Sequence, residues 1–204
     1  MNASPALDQV TLAGLHVVLR PLDHEHEAQL AAVAELPWFD LMSGSCIAPV
    51  DEEAAHAYVN EALAGWRRGS YLPFAVFDAK TNALVGGTRF GDIDLAMGHI
   101  EIGWTWYVEQ ARGTAINPEC KLLLLSYAFD VLDVERVQLK TGLKNLASQA
   151  AITKLGCVRE GVLRRAIIDR KGDWRDTVYF SLLRDEWPAT RERLMTRLAA
   201  FDDA

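Results

Sequence analysis

Hydrophobic and polar positions follow two different periods along this chain, and each change of period marks an element. Residues 15–20 (LHVVLR) alternate loosely and stop at Pro21, which predicts a first strand. Asp23 is placed to cap a helix running through Glu35, with Leu30, Val33 and Ala34 on one stripe and Pro37 ending it. Residues 38–49 mix Pro, Gly and Ser with the aromatics Trp38 and Phe39 and read as an irregular loop. The acidic run Asp51, Glu52, Glu53 opens a second helix, where the helix dipole favours negative charge. That helix runs to Trp66 and closes with Arg67, Arg68 and Gly69.

From Tyr71 the period shortens to two. Residues 74–77 and 83–90 predict a hairpin around a turn at 78–82. Residues 98–108 predict a third long strand. Alternation there puts Ile100, Ile102, Trp104 and Trp106 on one face and His99, Glu101 and Thr105 on the other. Residues 120–130 are apolar over too wide an arc for a surface helix, so a buried helix is expected. A strand at 136–141 and a helix at 145–154 follow, with Asn145 as N-cap and Gly156 past the end. Strands near 162–169 and 173–183 flank a turn at 170–172. An amphipathic helix over 188–201 carries Leu194, Leu198 and Phe201 on one face. Hairpin strands followed by a strand–helix–strand–helix section define the α/β (α+β) class, a mixed sheet with helices on its faces.

Composition narrows the class without changing it. The 204 residues suit one domain, 1–204, with a core over about 15–187 and a C-terminal helix over about 188–201. A hydrophobic share of 50% and a charged share of 24% fit a soluble globular protein. The net charge of −7 disfavours a phosphate-backbone partner, so no nucleic acid is expected. No apolar run approaches the ~20 residues that cross a bilayer, so no membrane partner is expected. The first residues lack a basic segment and an apolar stretch, which predicts a cytoplasmic protein. Cys46, Cys120 and Cys157 are widely spaced without a CxxC pair, and they read as buried free thiols. His24-Glu25-His26 has no third ligand at a suitable spacing, and His16 and His56 read as structural. No metal is expected.

The chemistry concentrates in residues 110–118 (QARGTAINP), between the long strand and the buried helix. Gly113 allows close backbone approach, Asn117 can cap, and Pro118 suits a first helical turn. Free amides then gather at a helix N-terminus, beside Arg112 and Lys121. Such an end binds anions. A plain strand-to-helix turn would need the glycine and a cap, but no particular Gln or Arg.

Gln110-x-x-Gly113-x-Ala115 resembles the Q/R-x-x-G-x-G/A signature of the GCN5-related N-acetyltransferases (GNAT). Asn145-x-x-Ser148, then Ala151-Ile152-x-Lys154-Leu155-Gly156-Cys157-x-Arg159-Glu160-Gly161, is similar to the RimJ/RimL-like ribosomal-protein-alanine acetyltransferase branch. Gly172-x-x-Arg175-Asp176-x-Val178-x-Phe180-Ser181 and Glu186-Trp187-Pro188 extend the resemblance over about 15–198. Cys157 stands where an aromatic is usual, Pro118 where Thr is commoner, and Ala115 at the second glycine. None of these obstructs a cradle of backbone amides.

The resemblance implies a splayed sheet holding acetyl-CoA between the strands ending near Val108 and Thr141. The main chain of Trp106 to Val108 would pair with the pantetheine arm. Gln110 and the amides of Arg112, Gly113, Thr114, Ala115 and Asn117 would hold the pyrophosphate. Asn145 would reach the pantetheine, unless it serves only as N-cap, and Ser148 would face the thioester sulfur. Attack by an amine needs a base, an oxyanion donor and an acid for the leaving thiolate. Glu101 is the first candidate base, with a pKa raised by a tryptophan-walled cleft, and His99 is the second. A backbone amide near Trp106 or Tyr107 suits the oxyanion, and Ser148 or Tyr107 the acid. The implied activity is acetyl transfer in a ternary complex to a primary amine, on a protein N-terminus or a small molecule, by a chain that can form a homodimer. The alternative is a non-catalytic acyl-CoA-binding protein on the same fold.

Overall fold

The computed structural model describes residues 7–33, 51–169 and 172–202. Its strands are β1 (Leu12–Ala13), β2 (Val17–Pro21), β3 (Leu72–Asp78), β4 (Leu84–Asp94), β5 (His99–Tyr107), β6 (Arg136–Gly142), β7 (Val158–Ile168) and β8 (Trp174–Leu183). They form one sheet in sequence order, except that β8 inserts between β6 and β7. Every neighbouring pair is antiparallel apart from β5 and β6. The helices are α1 (Glu27–Ala32), α2 (Glu52–Arg67), α3 (Ile116–Ser126), α4 (Leu146–Leu155) and α5 (Trp187–Asp202). The expected mixed, splayed sheet with flanking helices and a C-terminal helix is what the chain adopts. None of the helices in the described residues is long and apolar enough to cross a membrane.

Local chemistry sets most boundaries. Asp51 caps α2 by accepting the Ala54 N–H at 2.7 Å. The Asp78 carboxylate holds the β3–β4 turn through the amides of Lys80 and Thr81, at 2.9 and 2.8 Å. Asn145 caps α4, and Gly156 closes it in the left-handed region at φ 102°, where a side chain would be strained. Asp23 caps a short 3-10 turn, His24–His26, before α1 begins. The rest of that expected helix, from Ala34 to its stop at Pro37, lies outside the described residues. So do the loop at 38–49, Cys46, and Arg170 and Lys171 of the last turn.

Core packing overrides the periodic pattern in places. Leu72 to Phe77 of β3 are all buried, because helices cover both faces of the sheet. Opposite directions along β5 identify those faces. Trp106 Nε1 donates to the Tyr58 hydroxyl of α2, whereas the neighbouring Thr105 hydroxyl accepts from Lys121 Nζ of α3. Helix α3 starts four residues before the expected Cys120, and Asn117 lies inside its first turn. Its N-cap is Ala115, which has no capping side chain. A single π turn, Tyr127–Val131, follows α3, closed by the Leu132 N–H to Tyr127 carbonyl bond at 2.9 Å. It seats Phe129 on Trp187 of α5, ring centroids 5.6 Å apart, and Asp130 accepts the Trp187 indole N–H at 3.0 Å. Strand β7 begins at Val158, four residues earlier than expected.

Glu119, buried in α3, accepts the backbone N–H groups of Leu15, His16 and Val17 at 2.9, 2.6 and 2.8 Å. The carboxylate thus ties the β1–β2 turn to the start of α3. Glu119→Ala strands these donors, at about 1 kcal/mol each. A loss of about 2–3 kcal/mol is expected in urea unfolding, and an unchanged midpoint would show the turn to be held by other contacts.

Candidate active site

Strands β5 and β6 pair over three positions only, His99↔Arg136, Ile100↔Val137 and Glu101↔Gln138. Beyond Glu101 they separate. The cause is visible on the other side of β5, where the register with β4 slips between Gly87↔Trp106 and Arg89↔Gly103. The extra residue is a β-bulge, and Trp104 sits in it at φ 51°, a strained conformation for a bulky residue.

The bulge corrects the expected alternation. Glu101 and Trp104 face the same side instead of opposite sides: Lys140 Nζ is 2.7 Å from Glu101 Oε2 and 5.9 Å from the Trp104 ring centroid. Trp106 shares this α2 side through Tyr58. Glycines make the room. A Cβ on Gly91 would lie 2.3 Å from the Trp104 ring, one on Gly87 2.8 Å from the Trp106 indole nitrogen, and one on Gly103 2.7 Å from Glu101 Oε1. Two indoles and a carboxylate occupy a trough that any larger residue would fill.

Glu101 is only 2% exposed. Gln138 Nε2 donates to its Oε2 at 3.3 Å and to Asp92 Oδ2 at 3.1 Å, and Lys140 Nζ also reaches Asp92 Oδ2 at 3.1 Å. Burial pushes the Glu101 carboxyl up to about 7, aided by its hydrogen bond with Asp92 and opposed by Lys140. Burial also acts to raise Asp92, but bonds with Glu101 and Lys140 outweigh it and hold Asp92 below the usual range. Lys140 loses by burial and gains more from Glu101 and Asp92, so it stays protonated beyond its ordinary range. Two carboxyls therefore share a proton beside a fixed cation. His99, exposed at the start of β5, lines a cavity of about 170 Å³ with Asp92, Asp94, Arg136 and Gln138.

Arg89 completes the floor. Its buried guanidinium carbon stands 4.9, 5.2 and 5.9 Å from the ring centroids of Tyr58, Tyr71 and Trp104, and Nη1 pairs with Glu61 at 2.5 Å. Arg89, Asp92, Gln138 and Lys140 belong to no motif in the sequence. The available signal was charge inside otherwise apolar strands, because a buried charge needs a partner.

The turn after β5 is a 3-10 segment, Glu109–Ala111, followed by Gly113 at φ 75° with open space where a Cβ would stand. Arg112 folds back, and its Nε and Nη2 donate to the Tyr107 carbonyl at 3.2 and 2.8 Å. Thr114 Oγ1 donates to the Ala111 carbonyl at 2.7 Å, and the Ile116 N–H meets that hydroxyl at 3.3 Å. The first bond within α3 is from the Glu119 N–H to the Ala115 carbonyl, so the amides before it project from the helix end. Lys121 does not join them; it is buried against Thr105. Gln110 is exposed beside this end. With Thr114, Ala115 and Ile116 it borders a cavity of about 820 Å³ on the β4 side, which includes none of Glu101, Asn145 and Ser148.

The main chain along β5 differs by one residue from the expectation. Val108 is engaged at both groups, its N–H with Val85 O and its C=O with Ala111 N–H, and the Trp106 carbonyl points at Gly86. Tyr107 turns the other way, towards Arg112. The Tyr107 hydroxyl is buried against the Cys120 thiol, and burial holds its pKa well above the usual phenol range. Asn145 Oδ1 accepts the Ser148 N–H at 3.0 Å, so Asn145 is an N-cap and Ser148 lies one turn inside α4.

These features meet in a known class. A family model, the acetyltransferase (GNAT) domain, matches residues 16–158, and the chain belongs to this family as an N-acetyltransferase. YdaF of Bacillus subtilis (strain 168), which bears the name "putative ribosomal N-acetyltransferase", is 28% identical over 137 residues, which is 66% of this chain and 73% of YdaF. A GCN5-related N-acetyltransferase from Brucella melitensis superposes with a TM-score of 0.86 at 26% identity, covering 97% of this chain and 89% of that one. RimJ of Mycobacterium smegmatis, solved with CoA-disulfide, shares the fold with a TM-score of 0.80 at 20% identity, over 93% of this chain and 95% of that one.

Removing the cation that opposes protonation of Glu101 should raise its pKa. In Lys140→Met the Glu101 carboxyl is expected to titrate above about 7, followed by carboxyl ¹³C NMR. A value that stays put or falls would show that Lys140 does not set it.

Proposed function

We propose that this N-acetyltransferase moves the acetyl group of acetyl-CoA to a primary amine within a ternary complex, with Glu101 as the base. The observation that carries the reading is a buried carboxyl, ionising near neutrality, at the point where β5 and β6 part. The thioester supplies the activated acyl carbon. The open position at Gly113 and the uncapped end of α3 fit a pyrophosphate, and the main-chain N–H of Tyr107, whose carbonyl is held by Arg112, fits an extended pantetheine arm. In this reading Gln110, Arg112, Thr114, Ala115 and Asn117 surround the phosphates. Trp106 and Val108 shape the strand, and Asn145 fixes the α4 end beside the arm.

A cationic amine enters among Asp92, Asp94 and Glu101. Ionised Glu101 takes its proton, the amine nitrogen bonds to the acyl carbon, and the carbon–sulfur bond breaks. The nitrogen's second proton passes to the Ser148 hydroxyl as that hydroxyl gives its own to the leaving thiolate, so Ser148 ends neutral. The Tyr107 hydroxyl is buried against the Cys120 thiol, so the contribution of Tyr107 is the strand edge. YdaF's name directs the acceptor search towards ribosomal proteins, alongside small amines.

The sign of the pH dependence follows. Ionised Glu101 is the active form, so kcat/KM rises with pH through about 7. Glu101→Gln should remove that limb and lower turnover by roughly 10²–10⁴-fold. The measurement is release of CoA thiol over a panel of peptides with free N-termini and small amines, with mass spectrometry locating the acyl group. An unchanged profile in Glu101→Gln would take Glu101 out of the mechanism. Acyl-CoA binding without thiol release for any amine would favour a non-catalytic CoA-binding protein instead.

Gly113→Val places a β-branched side chain at positive φ, so the free turn relaxes and its restoration on binding costs about 1–2 kcal/mol, or roughly tenfold in affinity. Weaker CoA binding by calorimetry with an intact fold is expected. Undiminished affinity would move the phosphate site elsewhere.

A further inference from the structure

His24, Glu27 and His56 lie on the surface of the first helical pair, away from the groups assigned to acetyl transfer. Their sequence separation hides them, because the third member comes from α2. In the fold, His24 Nδ1 and His56 Nδ1 approach the same oxygen, Glu27 Oε1, at 2.6 and 3.0 Å. The three atoms lie within 4.8 Å of one another, and the imidazole centroids are 5.7 Å apart. His26 takes no part: its ring is buried near Phe77, and its Nδ1 accepts the Asp23 N–H, which fixes the turn that carries His24.

We propose that His24, Glu27 and His56 form a binding site for a borderline-soft divalent cation of the zinc type. Such an ion takes imidazole nitrogen and carboxylate oxygen at about 2.0–2.2 Å in a tetrahedral arrangement, which separates neighbouring ligand atoms by roughly 3.3 Å. Opening the two contacts on Glu27 by some tenths of an ångström reaches that spacing. The side chains are exposed enough to rotate, at 44%, 25% and 61% for His24, Glu27 and His56. Three protein ligands leave a position for water on the solvent side. Two imidazoles against one carboxylate select zinc-type ions over magnesium and calcium, which demand oxygen ligands. Because His24 and Glu27 belong to the α1 region and His56 to α2, the ion clips one helix to the other.

The test is calorimetric titration of the untagged, full-length protein with Zn²⁺, and separately with Mg²⁺. One Zn²⁺ per chain is expected, with a rise in thermal midpoint and no heat from Mg²⁺. His24→Gln and His56→Gln should each weaken Zn²⁺ binding by at least about tenfold. Both sites are exposed, so the circular dichroism spectra should match the wild type. Co²⁺ added in place of Zn²⁺ should give the visible bands of a low-symmetry nitrogen–oxygen site in the wild type alone. Absence of Zn²⁺ binding, or wild-type affinity in both variants, would overturn the proposal.

Discussion

The parallel ladder between β5 and β6 lasts three residue pairs, and the rest of the site depends on where it stops. A sheet that stayed paired would bury the edge of β5 and leave no cleft. The bulge at Trp104 turns the strand just after Glu101, so the last paired position and the first open one are neighbours. The acid–base group therefore sits on the rigid part of the sheet, and the strand edge that opens to a ligand begins one step later. Strain at Trp104 is sustained by its surroundings, with Tyr71 packed edge-on at 5.0 Å and Gly91 leaving room beneath the ring.

That arrangement also explains how the site holds so many charges. Arg89, Glu101 and Lys140 would each be costly alone in the interior. Here Arg89 has Glu61 and three rings, while Lys140 faces two carboxylates. The cation count around Glu101 stops short of neutralising both carboxyls, which keeps one proton in the pair near neutral pH. The glycines at positions 87, 91 and 103 supply space for side chains from neighbouring positions.

Most elements were legible because caps and periods are local. Asp51, Asn145 and Gly156 sit at helix ends as expected, and the hairpin about Asp78 turns at its own carboxylate. The first misreading in the site came from a single residue. Strict alternation through Gly103 assigned Trp104 to the wrong side of β5, since a bulge depends on pairing with β4 that the strand's own pattern does not encode. Asn117 looked like a cap because Pro118 followed it, yet α3 begins ahead of both. Lys140 and Asp92 belong to different strands and meet only through topology. The motif around Gln110 and Gly113 was legible for the opposite reason, since a turn from strand to helix is built from consecutive residues.

The tie between Glu119 and the β1–β2 turn joins distant parts of the chain. The carboxylate and its three backbone partners are 102 to 104 residues apart in the chain. Closing so long a loop is costly before other contacts form, and each further doubling adds only about 0.6 kcal/mol. The start of α3, which presents the candidate phosphate cradle, is therefore fastened to the β1–β2 turn from across half the chain. The two halves of the candidate site thus rest on different supports: Glu101 on the β5–β6 ladder, and the cradle on a tie to the beginning of the sheet.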